Sequence, residues 1–221
     1  MKRNRCKKIA AALLCVVMGC TTLGQGFSAA AADATTSEEE VEINFAKALQ
    51  MSLYFYDANK CGSGITGGNL EWRGDCHTED AAVPLKPMGE DYKGTNLSQE
   101  FIDAHRNILD PDGDGTIDVA GGMHDAGDHV KFCLPGSYAA STLGWGYYEF
   151  RDAYVDSGQQ WHIEDILHWF NDYYLKCTYF DENGDILAFC YQVGEGNIDH
   201  NYWNAPELQN ESLLDFARPA Y

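Results

Sequence analysis

Apolar residues recur at helical spacing in several parts of the chain. Residues 43–58, INFAKALQMSLYFYDA, are apolar at positions 45, 48, 49, 51, 53 and 55, which predicts a helix buried on most of its surface. Residues 161–177, WHIEDILHWFNDYYLKC, predict a clearer amphipathic helix. Its apolar face holds Ile163, Ile166, Leu167, Phe170 and Tyr174. Further helices are expected over residues 99–109 and after Pro135.

Long loops join these helices, and they carry the less common residue types. Residues 59–98 are rich in Gly, Asp, Asn and Pro, which predicts a long ordered loop. Residues 186–194, ILAFCYQVG, are expected to be extended, and the aromatic segment that follows them is expected to be irregular. Trp145 and Trp169 fall on helices and are expected in the core. The pattern predicts a mostly helical domain whose function is carried by loops.

The first residues have the pattern of an export signal. MKRNRCKK is basic, the next twelve residues are apolar, and small residues precede a cleavage point near Ala32. We therefore assign residues 1–32 to a signal peptide, the polar residues 33–42 to a disordered leader, and residues 43–221 to the folded domain. The apolar run is short for a membrane-spanning helix. Lipid attachment at Cys20, in VMGC, is the alternative to plain secretion.

Composition describes an acidic globular domain. The chain has 221 residues, of which 45% are hydrophobic and 13% aromatic, enough for one domain with a core. Without the five basic residues of positions 1–32, 10 basic residues remain against 34 acidic ones, a formal charge of −24. Such a surface repels nucleic acid and anionic membranes, so we expect no nucleic-acid partner. Five cysteines remain, an odd number, so at least one is unpaired or pairs with another molecule.

The stretch GGMHDAGDHVKF, residues 121–132, puts Asp125 and Asp128 on one short turn. Two carboxylates this close can hold one water molecule, with one taking its proton and the other accepting a hydrogen bond. They cannot be the acid and the base of an inverting glycosidase, which stand about 6.5–9.5 Å apart. A general acid would have to come from elsewhere. On its own, a DxxD pair is more often a turn that caps the next helix.

Several collinear segments give this turn a context. Six segments together resemble the family 9 glycoside hydrolases, the inverting cellulases. They are the stretch around DAGD, LPGSYAASTLGWGYYEF, YDANKCG, EWRGDCHTED, QVGEGNIDHNYW and RPAY. The resemblance runs from about Asn44 to Tyr221. It implies an all-α fold, the (α/α)6 barrel of six-hairpin glycosidases, with an open cleft for β-1,4-glucan. It also implies that Asp128 is the catalytic base and that Asp125 positions the water.

The sequence departs from the family pattern in two ways. Met123 and His124 stand where the family often has two aromatic residues. The family's general acid is a glutamate near the end of a longer catalytic domain, and Glu195, Glu207 and Glu211 fall in no matching motif. We therefore expect residues 43–221 to be the N-terminal part of the catalytic domain, with an incomplete barrel and no activity of its own.

The same resemblance points to residues that contact sugar. His200 and Trp203, in DHNYW, match the histidine and tryptophan of the family's cleft. A glucose ring offers an apolar face to an indole and hydroxyl groups to an imidazole. From the residues alone, Trp203 could equally be an aromatic residue buried under a loop.

Two groups of residues predict metal sites. Cys61, Cys76, His77 and His124 have the number and type of ligands of a closed zinc site. Some members of the resembled family carry a structural zinc in this arrangement, here with about twenty extra residues before the last histidine. A Cys61–Cys76 disulfide is the alternative.

The second group lies in DPDGDGTID, residues 110–118. Asp110, Asp112, Asp114 and Asp118 occupy positions 1, 3, 5 and 9 of a calcium loop. Gly115 is at position 6, but position 12 is Gly121 in place of glutamate. An acidic turn without calcium is the alternative.

These observations predict a secreted endo-acting β-1,4-glucanase, of which this chain is a part. Two other classes remain open: a truncated, non-catalytic fragment that binds glucan, and a calcium-dependent surface module built around residues 110–118. Modules that attach such an enzyme to a cell-surface complex would lie beyond Tyr221.

Overall fold

The computed structural model describes residues 43–221. The predicted signal peptide, the leader and Cys20 lie outside the described residues. Within residues 43–221, no helix has the length and hydropathy needed to cross a membrane.

Six α-helices and two 3-10 helices form most of the regular structure of these residues. The predicted helices at 99–109 and 161–177 are confirmed. Asn44 begins the first helix by accepting a hydrogen bond from the amide of Lys47, and Ser98 begins the second by accepting one from Phe101. The helices are α1 Phe45–Asn59, α2 Gln99–Leu109, α3 Cys133–Glu149, α4 Arg151–Asp156, α5 Gln160–Lys176 and α6 Gly196–Asp199, with 3-10 helices at Thr78–Ala82 and Pro206–Leu208.

Three short antiparallel strand pairs connect the loops. Strand β1 (Val83–Pro84) pairs with β2 (Thr116–Ile117), and β4 (Thr178–Phe180) pairs with β5 (Ile186–Phe189). Strand β3 (Lys131–Phe132) pairs with β6 (Gln192–Val193). Because β3 follows the DAGD turn directly, this third pair brings the segment after β6 beside the turn.

Helices α1, α3, α4 and α5 share one hydrophobic cluster. Ile163, Ile166 and Phe170 of α5 are buried in it, and Leu167 and Tyr174 pack against it, so the predicted apolar face of α5 is confirmed. Trp169 packs against a separate small cluster of Cys61, Ile65 and Cys76, and its indole nitrogen donates to the main-chain oxygen of Gly122 at 2.8 Å.

Two expectations about burial are wrong. Helix α1 packs through one face, so Phe45, Met51 and Phe55 are 56–76% exposed where a mostly buried helix was expected. Trp145 is 68% exposed because it lies on the side of α3 that faces away from α5 and contacts only its neighbour Tyr148 among the aromatic rings. Helix α3 also begins at Cys133, two residues before Pro135.

Candidate active site and metal centre

The DAGD turn holds its two carboxylates in different environments. The amide of Asp125 donates to the carbonyl oxygen of Val130 at 2.9 Å, which closes the turn. Asp125 is exposed, whereas Asp128 is buried. Partial burial and the nearby charge of Asp128 raise the pKa of Asp125. Oδ2 of Asp128 lies 2.7 Å from Nδ1 of His200, and its Oδ1 is buried without a hydrogen-bond partner in residues 43–221.

The predicted sugar contacts lie beside this turn. Glu195 caps the start of helix α6, where its carboxylate accepts a hydrogen bond from the amide of Ile198 at 2.8 Å, and His200 follows the last residue of the helix. The indole nitrogen of Trp203 donates to the main-chain oxygen of His200, and the two rings meet edge to face at 5.1 Å. Trp203 is 59% exposed, which argues against an aromatic residue buried under a loop.

Gly127 explains how the indole comes so close to the turn. A Cβ atom at position 127 would lie 2.4 Å from Cζ3 of Trp203, closer than any side chain permits. The glycine between the two aspartates therefore makes room for the ring. The structure thus brings together Asp125, Asp128, His200 and Trp203, the four residues predicted for catalysis and sugar binding.

Three glutamates, Glu195, Glu207 and Glu211, match no motif of the family. None of them is arranged as a general acid. Burial would raise the pKa of Glu207, but hydrogen bonds from the Gly74 amide and from Arg73, each at 2.8 Å, lower it. A general acid at neutral pH needs the opposite shift. Glu195 caps α6, and the exposed Glu211 lies 3.8 Å from Lys93.

The four predicted zinc ligands form one buried cluster. One ligand atom from each of Cys61, Cys76, His77 and His124 lies within 4.8 Å of the others, and each residue is at most 5% exposed. Nε2 of His124 is 3.3 Å from Nδ1 of His77, and Sγ of Cys61 is 3.8 Å from the same atom. In a tetrahedral site with metal–ligand bonds of 2.0–2.3 Å, neighbouring ligand atoms lie about 3.3–3.8 Å apart, so these residues fit zinc.

The protonation of two of the four residues, Cys76 and His124, also suits a metal. All five cysteines of residues 43–221 are free thiols, so the alternative Cys61–Cys76 disulfide is not formed. A hydrogen bond from Cys61 lowers the pKa of Cys76, and Arg73 assists, with Nη2 3.4 Å from Sγ. Burial raises the pKa of Cys61 and lowers that of His124, which keeps His124 neutral. Neutral imidazole is the form that binds metals.

Main-chain pairing sets the ligands at these positions. Gly62 and Cys76 exchange two hydrogen bonds of 3.0 Å, which places Cys61 beside Cys76. The amide of His124 donates to the carbonyl oxygen of Asn59 at 2.8 Å. His77 adopts a left-handed conformation with φ of 47°, which is uncommon for a residue other than glycine. The cluster therefore joins the N-terminal loop to the turn that carries Asp125.

The acidic loop brings three of its four aspartates together. Carboxylate oxygens of Asp110, Asp112 and Asp114 lie within 4.8 Å of one another. Asp118 is not in this group, because its carboxylate pairs with Lys176 at 3.0 Å and accepts from the amide of Ala120. Oδ1 of Asp110 is buried without a hydrogen-bond partner in the described residues.

A buried ionic network under the turn was not predicted from the sequence. Asp80 is fully buried and accepts from Nε and Nη2 of Arg218 at 3.0 and 2.8 Å. Lys131 lies 2.9 Å from the same carboxylate. Nη1 of Arg218 donates to Asp199 at 2.8 Å and to the carbonyl oxygen of His129 at 2.7 Å. Hydrophobic periodicity carries no signal for such a network; the only hint was that its residues fall in segments that resemble the family.

Comparison with known proteins agrees with this geometry. Residues 45–221 match the family model described as "Glycosyl hydrolase family 9". The chain is 33% identical to Endoglucanase 4 of Bacillus sp. (strain KSM-522) over 81% of its own length and 22% of that protein. It is similar to the catalytic domain of Clostridium thermocellum CelT, with 53% identity, a TM-score of 0.74, and coverage of 81% of this chain and 34% of that one.

A further similarity is to Clostridium thermocellum CelQ complexed with cellobiose and cellotriose, with 29% identity and a TM-score of 0.56 over 81% of this chain and 22% of that one. These structures confirm the predicted all-α barrel class. The chain spans about a fifth of the curated relatives and about a third of the CelT domain.

Proposed function

This chain belongs to glycosyl hydrolase family 9, and we propose that it supplies the base side of an endoglucanase that hydrolyses internal β-1,4-glucosidic bonds with inversion. The arrangement of Asp128 carries the proposal. His200 holds Oδ2 at 2.7 Å, and Oδ1 is an acceptor without a partner in residues 43–221. A carboxylate that is fixed through one oxygen and keeps its other oxygen unpaired is suited to take a proton from water.

The other residues of the turn have supporting roles in this proposal. Asp125 accepts a second hydrogen bond from the water and so directs it at the anomeric carbon. The exposed face of Trp203 stacks on a glucose ring, and the imidazole of His200 contacts its hydroxyl groups. The general acid comes from outside this chain. Because the substrate is an extracellular polymer, the proposal includes export through residues 1–32.

Hydrolysis of a soluble β-1,4-glucan tests this function. Reducing ends and the anomeric configuration of the first product should be measured for this chain and for the longer open reading frame that contains it. We expect activity only from the longer form, with the α-anomer formed first. Activity of this chain alone would contradict the missing acid, and β-anomer would contradict inversion. A longer form that binds glucan but never cleaves it would favour the non-catalytic alternative.

Replacement of Trp203 by alanine should weaken cello-oligosaccharide binding by about tenfold, or about 1.4 kcal/mol, because the ring loses its stacking surface. Titration of this chain with cellotetraose by calorimetry measures the effect. Trp161→Ala is the matched control, since Trp161 is 58% exposed against 59% for Trp203. Equal losses in the two variants would contradict sugar stacking at Trp203.

We propose that Cys61, Cys76, His77 and His124 hold zinc. Four protein ligands leave no open position, so the ion would be structural and would brace the loop that carries Asp125. The ligand distances and the depressed pKa of His124 support this assignment. Catalysis does not pass through the metal.

We also propose that Asp110, Asp112 and Asp114 bind calcium. A cluster of acidic residues alone would be weak support, but the buried Oδ1 of Asp110 has no partner in the described residues, and a cation would satisfy it. The missing glutamate at position 12 points to the weak end of the calcium range, about 10⁻⁴–10⁻³ M.

Calcium at 10 mM should therefore stabilise the chain by about 1–3 kcal/mol, measured as a rise in the thermal unfolding midpoint. Asp110→Asn should abolish this rise. Asp118→Asn should keep it, because Asp118 pairs with Lys176 instead. A rise of equal size in the Asp110 variant would contradict the site. If calcium governs glucan or cell binding while Asp128→Ala has no effect, the surface-module alternative is favoured.

A further inference from the structure

Gln209 lies where the metal cluster, the catalytic turn and the loop of His200 meet. Its side chain is buried, with 3% exposed. Oε1 lies 2.8 Å from Nε2 of His77 and 2.7 Å from Nδ1 of His129. Nε2 donates to Oδ1 of Asp199 and, at 2.7 Å, to the main-chain oxygen of Asp215. All four hydrogen-bonding positions of the amide are filled.

These four contacts fix the direction of the amide. The groups beside its nitrogen are a carboxylate and a carbonyl, which can only accept hydrogen bonds. The carboxylate is that of Asp199, whose Oδ2 accepts a hydrogen bond from Arg218 at 2.8 Å. The amide nitrogen must face this pair, and the oxygen must face the two imidazoles. Each imidazole must therefore donate to Gln209.

The direction of the amide in turn sets the tautomer of His77. With the proton on Nε2, a neutral ring carries its lone pair on Nδ1. That atom points into the metal cluster, 3.3 Å from Nε2 of His124 and 3.8 Å from Sγ of Cys61. The opposite tautomer would place a proton where the metal bond must form.

We propose that Gln209 is a positioning residue that presents Nδ1 of His77 to the metal and, through the same oxygen, fixes the ring of His129 beside Asp128. The proposal rests on the proposed zinc site. His77 and Gln209 are 132 positions apart in the chain. The amide therefore ties the C-terminal loop to the metal loop and makes the geometry of the catalytic turn depend on both.

Zinc affinity of Gln209 variants tests the proposal. Gln209→Met removes the acceptor with little change in size, and zinc binding, measured by competition with a chromophoric chelator, should weaken by 10–100-fold. Gln209→Glu keeps an acceptor for both imidazoles, so its zinc affinity should stay close to that of the unsubstituted chain. Its stability should nevertheless fall, because the new carboxylate faces Asp199. Gln160→Met, on α5, is the matched control and should leave the zinc affinity unchanged.

The tautomer provides a readout that needs no metal. In the zinc-free chain, ¹⁵N NMR of the imidazoles should show His77 protonated at Nε2, and this preference should be lost in Gln209→Met. Unchanged zinc affinity in Gln209→Met, equal losses in the Met and Glu variants, or a His77 proton on Nδ1 would each overturn the proposal. If the unsubstituted chain binds no zinc, the zinc site fails, and the NMR result alone decides the role of Gln209.

Discussion

Replacement of Asp80 by alanine is expected to lower the free energy of unfolding by about 3–5 kcal/mol, the cost of leaving buried charges without their partner. Asp80 is fully buried between Arg218 and Lys131, which are 7% and 1% exposed. Both cations would keep their contacts to main-chain oxygens, but neither could return to water. Urea unfolding of this chain and the variant at neutral pH measures the difference.

The pH dependence of this loss identifies the charge as its cause. Burial alone would raise the pKa of Asp80, but the charges of Arg218 and Lys131 lower it far below the usual range of aspartate. Because the unfolded chain has an ordinary value of about 3.9, the stabilisation is complete above about pH 5 and is lost as the pH falls towards the folded pKa. The difference in free energy of unfolding between the unsubstituted chain and Asp80→Ala should therefore decrease as the pH falls from about 5 to about 2.

Two further variants separate charge from packing. Asp80→Asn keeps an acceptor for Arg218 but removes the charge. Its free energy of unfolding should therefore lie between that of the unsubstituted chain and that of Asp80→Ala. Asp172→Ala, at an exposed position of α5, should stay within about 0.5 kcal/mol of the unsubstituted chain. A deficit in Asp80→Ala that is small or independent of pH would contradict the assigned role of the ion pairs.

Hydrophobic periodicity predicted where helices form more accurately than which of their faces are buried. Helix α5 alternates apolar and charged positions, so Ile163, Ile166 and Phe170 identified its buried face correctly. Helix α1 is apolar on several sides, and its sequence could not say that only one side packs against the described residues. Trp145 was misplaced for the same reason, since residue type gives no direction on a helix whose neighbours are unknown.

The predicted sites depended on different kinds of information. The ligand types of Cys61, Cys76, His77 and His124 indicated a metal, but linear spacing could not show that main-chain pairing brings them within 4.8 Å. The calcium-loop pattern also included Asp118, which the structure places outside the group of three and beside Lys176, because a motif counts positions and carries no information on neighbouring charges.

Gln209 gave no sequence signal at all, and Asp80 was visible only as the last residue of EWRGDCHTED. Amides and carboxylates are among the commonest surface residues, and only the folded contacts reveal that these two are buried and fully bonded. Arg218 was visible only as part of RPAY, without any indication that it joins Asp80 to Asp199. Long-range polar networks are therefore the part of this site that the sequence could not predict.

In a longer form that supplies the proposed general acid, Asp128→Ala is expected to lower kcat for glucan hydrolysis by about 10²–10⁴-fold, the contribution of a general base. This corresponds to about 3–5 kcal/mol of transition-state stabilisation. The loss should appear in kcat more than in KM, because Trp203 and not Asp128 supplies the surface that binds sugar. Asp125→Ala should lose less, since Asp125 directs the water without removing its proton.

Azide distinguishes a lost base from a damaged site. This anion attacks the anomeric carbon without giving up a proton, while the glucosidic bond breaks and the general acid protonates the leaving oxygen. The smaller alanine side chain leaves room for azide, so azide should restore turnover in Asp128→Ala and yield a glycosyl azide of α configuration. It should not help Trp203→Ala, whose defect lies in binding. Failure of azide to rescue a folded Asp128→Ala that still binds cellotetraose would show that Asp128 acts other than as the base.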